Sequence, residues 1–504
     1  MARPRRGEIL SLTIDDLAFG GEGVGRAGGY VVFVPGGLPG DRLRVRLVQA
    51  RSRFGRGVID AVEEPSPHRV EAPCPYFGRC GGCRLQHMAY GAQLAFKAKQ
   101  VADALERIGG LTGVPVRPIL AAEETLGYRN KMEFTVSRSA RAPLSARPGF
   151  EQGEVQPKAS RADTEVQPQA SRANMPEQGE AQPQASRANI TIGLHEADRY
   201  DSVLDIERCL LQSDRMNALL DEARAFFTER GLTVYEQDSG DGLLRFLVLR
   251  EGRHTGELMA NVVTSAPAVS ELAPIAGRLS ARETGTTSVV MNVNPKKASV
   301  AVGVEEHLLG GRDHIRERMD GLTFQVSANS FFQTNTRQAE RLFDLIVDSA
   351  GLTGRETVYD LYSGTGAISL LLARRARWVY GIEVAEAAVE DAGVNAAANS
   401  ITNCTFVCGE VRVVLPELIA KGVTAEVVVA DPPRAGFHPK ALHALATLGA
   451  QRIVYVSCNP TTLARDLGEL VRGGGYRLEW VQPVDMFPHT PHIEAVARLE
   501  RAGS

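Results

Sequence analysis

The sequence predicts a multi-domain chain in three parts: an N-terminal OB-like β-barrel, a central α+β domain and a C-terminal α/β Rossmann-like domain. Three observations carry this. Residues 7–62 hold short apolar alternations (EILSLTI, YVVFVP, DRLRVRLVQA, GRGVIDAV) broken by Gly-rich turns, the pattern of a small antiparallel barrel. Between 190 and 330, strand-like runs (NITIGLH, LRFLVLRE, GELMANVVT, TSVVMNVN, LTFQVS) accompany a helical stretch at 213–230, which suggests a mixed domain. From 337 onward helices (337–350, 367–375, 385–399, 438–448, 460–472) alternate with the strands TVYDL, WVYGI, EVVVA and RIVYVS. Alternation of that kind predicts a parallel sheet with helices on both faces.

Composition bounds the rest. At 504 residues, 43% hydrophobic and 23% charged with a formal net charge of −3, the chain is ordinary globular material, which excludes a fibrous or wholly disordered protein. No apolar run approaches the roughly 20 residues that span a bilayer, and the start MARPRRGEIL has charge without an apolar core behind it, so no membrane contact and a cytoplasmic address are expected. Seven cysteines make a poor disulfide framework, so their spacing matters more than their number. Charge is uneven: residues 1–56 hold ten Arg against five Asp and Glu, so that end is +5 and the remainder −8. Arg42, Arg44, Arg46, Arg51, Arg53 and Arg56 cluster on the predicted barrel. Alternate strand positions share a face, so Arg42, Arg44 and Arg46 form a basic stripe suited to a phosphate backbone; the plainer alternative is a solvated strand face.

Between 141 and 189 the composition breaks. EVQPKASRAD starting at Glu154 recurs as EVQPQASRAN at Glu165 and EAQPQASRAN at Glu180, and 151–189 contains no aromatic, Leu or Ile. Such a stretch cannot bury enough apolar area to offset its ordering entropy and is expected to be a disordered insertion.

The residues that carry chemistry lie mostly in the C-terminal third. Asp360-Leu-Tyr-Ser-Gly364-Thr-Gly366 is a Gly-rich turn between a strand and a helix, where a ligand can approach free N–H groups. Nineteen residues beyond Gly364, Glu383 ends the next strand, placed to accept hydrogen bonds from ribose hydroxyls. Ser369 stands where a dinucleotide fingerprint needs its third glycine, which favours S-adenosylmethionine over a dinucleotide. Two further strands end in Asp431-Pro432-Pro433-Arg434 and Ser457-Cys458-Asn459-Pro460, so three strand ends converge on one crevice. Amino-group methyltransferases commonly follow Pro-Pro with an aromatic; Arg434 disfavours that target. The crevice offers a thiol instead. Asn459 and Pro460 suit a helix N-cap and first turn, whose dipole would stabilise a Cys458 thiolate; a buried inert cysteine is the plainer alternative. Uracil C5 becomes nucleophilic only once something adds at C6, which a thiolate does well, and the C5 proton must then meet a base. Glu494 in PHTPHIEAV, in a loop after the last parallel strand beside His489 and His492, supplies one.

Cys74-x5-Cys80-x2-Cys83, within CPYFGRCGGCRLQHM, suits metal or cluster ligands better than inert packing. Cys209 is the best candidate for a fourth ligand, with Cys404 or Cys408 as fallback, and spacing alone leaves zinc and an iron–sulfur cluster both open.

With these motifs in hand, the chain resembles the TRAM-containing, iron–sulfur RNA 5-methyluridine methyltransferases, the bacterial 23S ribosomal RNA (uracil-C5)-methyltransferase family. NSFFQTN, DLYSGTG, DPPRAGF, SCNP and MFPHTPHIE occur in family order, and the likeness covers nearly everything outside 141–189. It implies a TRAM-like RNA-binding barrel over 1–63, a central domain with the iron–sulfur loop over 64–330, and an S-adenosylmethionine-dependent methyltransferase domain over 331–504. It further implies that Cys74, Cys80, Cys83 and Cys209 hold a [4Fe–4S] cluster, that Gln333, Tyr362, Gly364, Glu383 and Asp431 bind S-adenosylmethionine, and that Cys458 is nucleophile and Glu494 base. The implied partner is ribosomal RNA, with tRNA as alternative; a monomer without an obligate protein partner is expected. Ser363 and Ala367 depart from the Cys and Asn of many relatives, which removes one amide contact to the cofactor. Two readings from other classes, a non-catalytic RNA-binding iron–sulfur protein and a radical enzyme, fit the combined motifs less well; the second would need a CxxxCxxC spacing.

Overall fold

A computed structural model describes residues 4–138, 190–280, 285–473 and 475–503; the expected 141–189 insertion falls outside the described residues. The N-terminal strands β1 (Ile9–Leu17), β2 (Gly23–Ala27), β3 (Tyr30–Val34), β4 (Arg42–Ala50) and β5 (Phe54–Glu64) close into a barrel in the order β1-β2-β3-β5-β4. Strict alternation in β4 sends Leu43, Val45 and Leu47 inward to meet Leu12, Ile14, Val32 and Val34, and its arginines outward. The barrel is not wholly antiparallel, because β3 and β5 run parallel where closure joins strands two apart in the chain. Its arginine stripe is also not a bare cationic surface. Arg42 pairs with Glu63 and Glu64, Arg44 and Arg46 with Asp60, and Arg56 with Glu22, so antiparallel β5 sets acids against the basic face of β4. Among the described residues Arg51 and Arg53, at the β4–β5 turn, form no such pair.

A loop carrying Cys74, Cys80 and Cys83 leads into α1 (Tyr90–Arg107). The central sheet follows from β6 (Lys131–Arg138), β7 (Ile190–Glu196), β8 (Arg199–Asp205), β9 (Leu244–Glu251), β10 (Leu258–Thr264), β11 (Ser288–Val293) and β12 (Glu305–Gly311), in the order β12-β11-β10-β9-β6-β7-β8. Helices α2 (Asp214–Glu229) and α3 (Val269–Ser280) pack on it; α3 is the crossover that lets β10 and β11 pair in parallel. The hairpin β13 (His314–Met319) and β14 (Leu322–Ser327) stands apart from that sheet.

The C-terminal part comprises α4 (Thr336–Ala350), β15 (Thr357–Leu361), α5 (Ala367–Ala373), β16 (Trp378–Glu383), α6 (Glu386–Ala398), β17 (Cys404–Cys408), α7 (Val411–Ala420), β18 (Val427–Ala430), α8 (Pro439–Leu448), β19 (Arg452–Ser457), α9 (Pro460–Gly473), β20 (Tyr476–Val484) and β21 (Glu494–Arg501). Its sheet order is β17-β16-β15-β18-β19-β21-β20. β15 and β18 are buried along their whole length, as strands covered on both faces must be. The sheet departs from the expected all-parallel one: β21 lies antiparallel between β19 and β20. Two stretches that the sequence places with the central domain share this C-terminal core. Val101, Ala104 and Leu105 of α1 pack with α8 and α9 residues, and Ile315, Leu322 and Phe324 of the hairpin pack with α4 residues. Among the described residues no helix is long and apolar enough to cross a membrane.

Candidate active site and thiol cluster

The crevice is assembled by strand register. β15 pairs with β18 so that Leu361 faces Ala430, and the Asp431 amide then donates to the Leu361 carbonyl at 3.2 Å. β19 pairs antiparallel with β21, with Ser457 opposite Ala495, so one step further along each strand sets Cys458 alongside Glu494. Glu494 is therefore not a loop residue as expected, but the first residue of an inserted antiparallel strand. The carboxyl end of one strand meets the amino end of its neighbour, which fixes thiol and carboxylate by backbone pairing.

Electrostatics confirm the proximity. Burial raises the Cys458 thiol to about 11, helped by the charges of Glu494 and Asp431 and opposed by Arg434. The expected cap is present, since Asn459 Oδ1 accepts from the Thr461 amide at 3.0 Å, but it does not stabilise thiolate on balance: desolvation and two carboxylates outweigh a helix end. Burial also drives Glu494 well above the usual carboxylate range, with Asp431 adding to the rise and Arg434 opposing it. Burial raises Asp431 as well. Two carboxylates in one dry crevice cannot both ionise readily, so the pair retains a proton near neutrality. Arg434 is the cation that opposes the rise of Glu494, and its backbone is held by Asn459 Nδ2 and Thr462 Oγ1 donating to its carbonyl at 3.0 and 3.2 Å.

The Gly-rich turn lies at the adjacent strand ends. Tyr362 (φ 67°), Gly364 (φ 53°) and Gly366 (φ 83°) are all left-handed, a strained choice for the tyrosine. A Cβ at Gly364 would meet nothing within 4 Å, whereas one at Gly366 would press within 3.1 Å of Ala392 and Phe406. Gly364 therefore faces open space and Gly366 is needed for close packing as well as for its φ. The Gly364 amide donates to Glu383 Oε2 at 3.1 Å, and Glu383 Oε1 accepts from Val384 and Ala385 at 2.8 and 2.9 Å. The ring of Tyr362 packs edge-on against Phe437, 5.8 Å between centroids. Gln333 lies two residues before Asn335, the N-cap of α4, and its carbonyl accepts from Asn130 Nδ2 at 2.9 Å.

Sequence reasoning assigned no role to Asp360. It is 1% exposed, burial raises it to about 7, and Ser369 Oγ donates to its Oδ2 at 2.5 Å while Oδ1 has no partner. Ser363 Oγ is likewise buried and unpartnered. Orphaned polar atoms beside an open glycine turn suit a polar ligand such as the amino-acid and ribose groups of S-adenosylmethionine. The strand-terminal position of Asp360 was the only signal in the sequence.

Cys74, Cys80 and Cys83 meet Cys209 of the β8–α2 loop. Burial is the main cause that raises all four thiols, Cys80 to about 11 and Cys83 to about 12; Cys209 and Cys74 add to both rises, and Cys74 adds to that of Cys209. Cys404 and Cys408 lie on β17, outside this set. Amides point at the sulfurs: those of Tyr76 and Phe77 at Cys74, that of Gly82 at Cys80 (3.4 Å), and those of Leu211 and Gln212 at Cys209. Among the described residues no three His, Cys, Asp or Glu side chains stand close enough to hold a single metal ion.

Comparison with known proteins adds the family. Residues 300–502 match the family described as tRNA (Uracil-5-)-methyltransferase, and residues 3–59 match the TRAM domain. An uncharacterized RNA methyltransferase of Chlorobaculum tepidum is 41% identical over 505 residues, covering 99% of this chain and 98% of the relative. Another, of Halalkalibacterium halodurans, is 37% identical over 495 residues, covering 98% and 97%. Among solved structures, the Pyrococcus abyssi tRNA (uracil-54, C5)-methyltransferase in complex with S-adenosyl-L-homocysteine is 29% identical with a TM-score of 0.70, covering 97% of this chain and 99% of that one. With relatives of this likeness along its whole length, a barrel where the TRAM match lies and a methyltransferase sheet behind it, the chain belongs to the TRAM-containing family of S-adenosylmethionine-dependent RNA (uracil-5-)-methyltransferases.

Proposed function

We propose that this enzyme forms 5-methyluridine in 23S ribosomal RNA through a covalent bond between Cys458 and uracil C6. The observation that carries the reading is the β19–β21 register, which sets a thiol beside a high-pKa carboxylate in a dry crevice next to a glycine turn. The target uridine leaves its stack to reach that crevice, because C6 is inaccessible inside a helix. Cys458 sheds its proton to solvent, the Asp431–Glu494 pair already sharing one, and its sulfur bonds to C6, which moves the C5=C6 electrons onto C5 and the neighbouring carbonyl oxygen. Asp431 hydrogen-bonds the ring. S-Adenosylmethionine, when bound, supplies an electrophilic methyl group for C5; Gln333, Tyr362, Gly364, Glu383 and Asp431 would hold it, with Asp360 beside them. Glu494 then removes the C5 proton, the double bond re-forms and the Cys458 thiolate leaves. A base of raised pKa suits this step, since it holds the abstracted proton well.

Cys74, Cys80, Cys83 and Cys209 would hold a [4Fe–4S] cluster, which orders its loop and takes no part in the proton steps. Amides aimed at three of the sulfurs suit thiolate ligands, and the four-cysteine set supports this reading. The solved tRNA (uracil-54, C5)-methyltransferase favours a second reading, with tRNA as substrate. One experiment tests both: 5-fluorouridine-substituted ribosomal RNA and tRNA are offered separately with S-adenosylmethionine. Fluorine blocks the last proton removal, so the expected result is a covalent adduct with ribosomal RNA on a denaturing gel. An adduct with tRNA alone reverses the substrate assignment, and none with either overturns the mechanism.

A further inference from the structure

The loop between β20 and β21, residues 485–493, leads directly into Glu494, and its grip comes from the opposite end of the chain. His489, at the crest, adopts φ 66°, a left-handed conformation that a non-glycine residue holds only when its surroundings impose it. Both its backbone polar groups are taken by residues 84–93. The Arg84 and Leu85 amides donate to the His489 carbonyl at 3.0 and 2.9 Å. The His489 amide donates to Gln93 Oε1 at 3.0 Å. Gln93, fully buried on α1, also sends Nε2 to the Leu85 and Met88 carbonyls at 3.0 and 2.8 Å, so one amide side chain clips the end of the cysteine loop to the crest of the second loop.

One turn further along α1, Lys97 is 2% exposed and donates to Asp485 Oδ1 at 2.6 Å and to the Phe487 carbonyl at 3.2 Å. Tyr90 donates to the other Asp485 oxygen at 2.9 Å. The base of the loop is thus fixed by a fully buried ion pair and its crest by an amide clip.

We propose that Gln93 and Lys97 are positioning residues for the proton-abstraction step: they hold the 485–493 loop so that Glu494 meets the C5 proton of the covalent intermediate. This rests on the covalent uracil-C5 reading above. The clip begins one residue after Cys83, so whatever orders the cysteine loop also orders His489. The addition step would not share this dependence, because Cys458 is placed by β19 and α9 rather than by the loop.

The test separates the two steps in the anaerobically purified full-length chain. Gln93→Met keeps the volume and removes the clip; Tyr90→Phe removes a single hydrogen bond to Asp485 and serves as the gentler variant should Gln93→Met fold poorly. Each is assayed for adduct formation with 5-fluorouridine-substituted RNA, which needs no base, and for tritium release from RNA labelled at uridine C5, which does. The expected result is adduct formation within about twofold of wild type, tritium release lowered on the order of tenfold to a hundredfold in Gln93→Met and about threefold in Tyr90→Phe, and covalent complex accumulating on unsubstituted RNA. Gln93→Glu, compared with wild type at each pH, should close part of the gap in release rate at acidic pH, where the added carboxyl can donate. Tritium release at the wild-type rate in both variants overturns the proposal, as does equal loss of both steps in Tyr90→Phe. A wild-type chain that forms no fluorouridine adduct instead overturns the underlying mechanism.

Discussion

The barrel and the crevice both arrange charged side chains by strand register, and they use them in opposite ways. On the barrel, β4 presents Arg42, Arg44 and Arg46 to solvent, about half exposed and facing acids on β5. In the crevice, Asp360, Asp431 and Glu494 sit at or beside strand ends, each raised by burial, with Arg434 opposing the rise of Glu494. Water screens the first set, so each pair is worth little; its exclusion from the second shifts every proton equilibrium there. Strand alternation predicts a face equally well in both places, but only burial turns a charge into a reagent.

The sharpest way to break this contrast is at the strand ends. Cys458→Ala should abolish turnover and form no covalent RNA complex. Glu494→Gln should lower turnover by on the order of 10²–10⁴ while accumulating the complex, as seen on a denaturing gel. If Glu494→Gln turns over normally, the raised carboxylate is a consequence of packing alone.

Arg434→Ala removes the cation that opposes the rise of the Cys458 thiol. With the thiol already at about 11, the thiolate fraction grows as pH rises, so addition should be faster at alkaline pH in the wild type. The variant should lose about tenfold at neutral pH, one pKa unit's worth, and regain it as pH is raised. A uniform loss at every pH would assign Arg434 to RNA contact instead.

Asp360 offers a stability test. Its folded-state value of about 7 lies above the ordinary 3.8, so the folded chain binds this proton more tightly than the unfolded chain. The contribution is fully present below the unfolded value and is lost as pH climbs through 7. Asp360→Asn should therefore flatten the decline of Tm between about pH 5 and pH 8, measured by scanning calorimetry without cofactor. An unchanged slope would show that the carboxylate is relieved by solvent.

The smallest effects belong to the barrel. Arg44→Ala should leave Tm within about 2 °C of wild type, because an exposed pair with Asp60 is lost. Arg51→Ala and Arg53→Ala, whose side chains have no acidic partner among the described residues, should each lower the slope of log affinity for RNA against log salt by about 0.7 if each meets a phosphate. If Arg44→Ala changes the slope as much, RNA displaces the acids of β5 and the stripe is a binding face after all.

Much of the fold was legible because its signals are local. Long apolar runs such as TVYDL and EVVVA, glycines at strand exits and a proline opening α9 each declare an element from a few neighbouring residues. α1, α3 and α7 were not read. YGAQLAFKAKQVADALER mixes a glutamine and a lysine into its buried face, α3 and α7 each carry an internal proline, and these disguise the helical period. Lys97 and Gln93 look like ordinary surface residues in the sequence; they are buried only because a loop nearly 400 residues away presents the atoms that satisfy them.

The sequence by itself determined the glycine turn, the strand-terminal acids, the position of Cys458 after β19 and the grouping of three cysteines, since each depends on short-range geometry. Only the tertiary structure decided that Glu494 opens an antiparallel strand beside Cys458, that Arg434 opposes the rise of Glu494, and that the basic stripe of the barrel is countered by its neighbour. The physical reason is common to all three. Register between strands distant in the chain, and the burial that follows from it, set which charges meet and how strongly, and neither is written in any local stretch of residues.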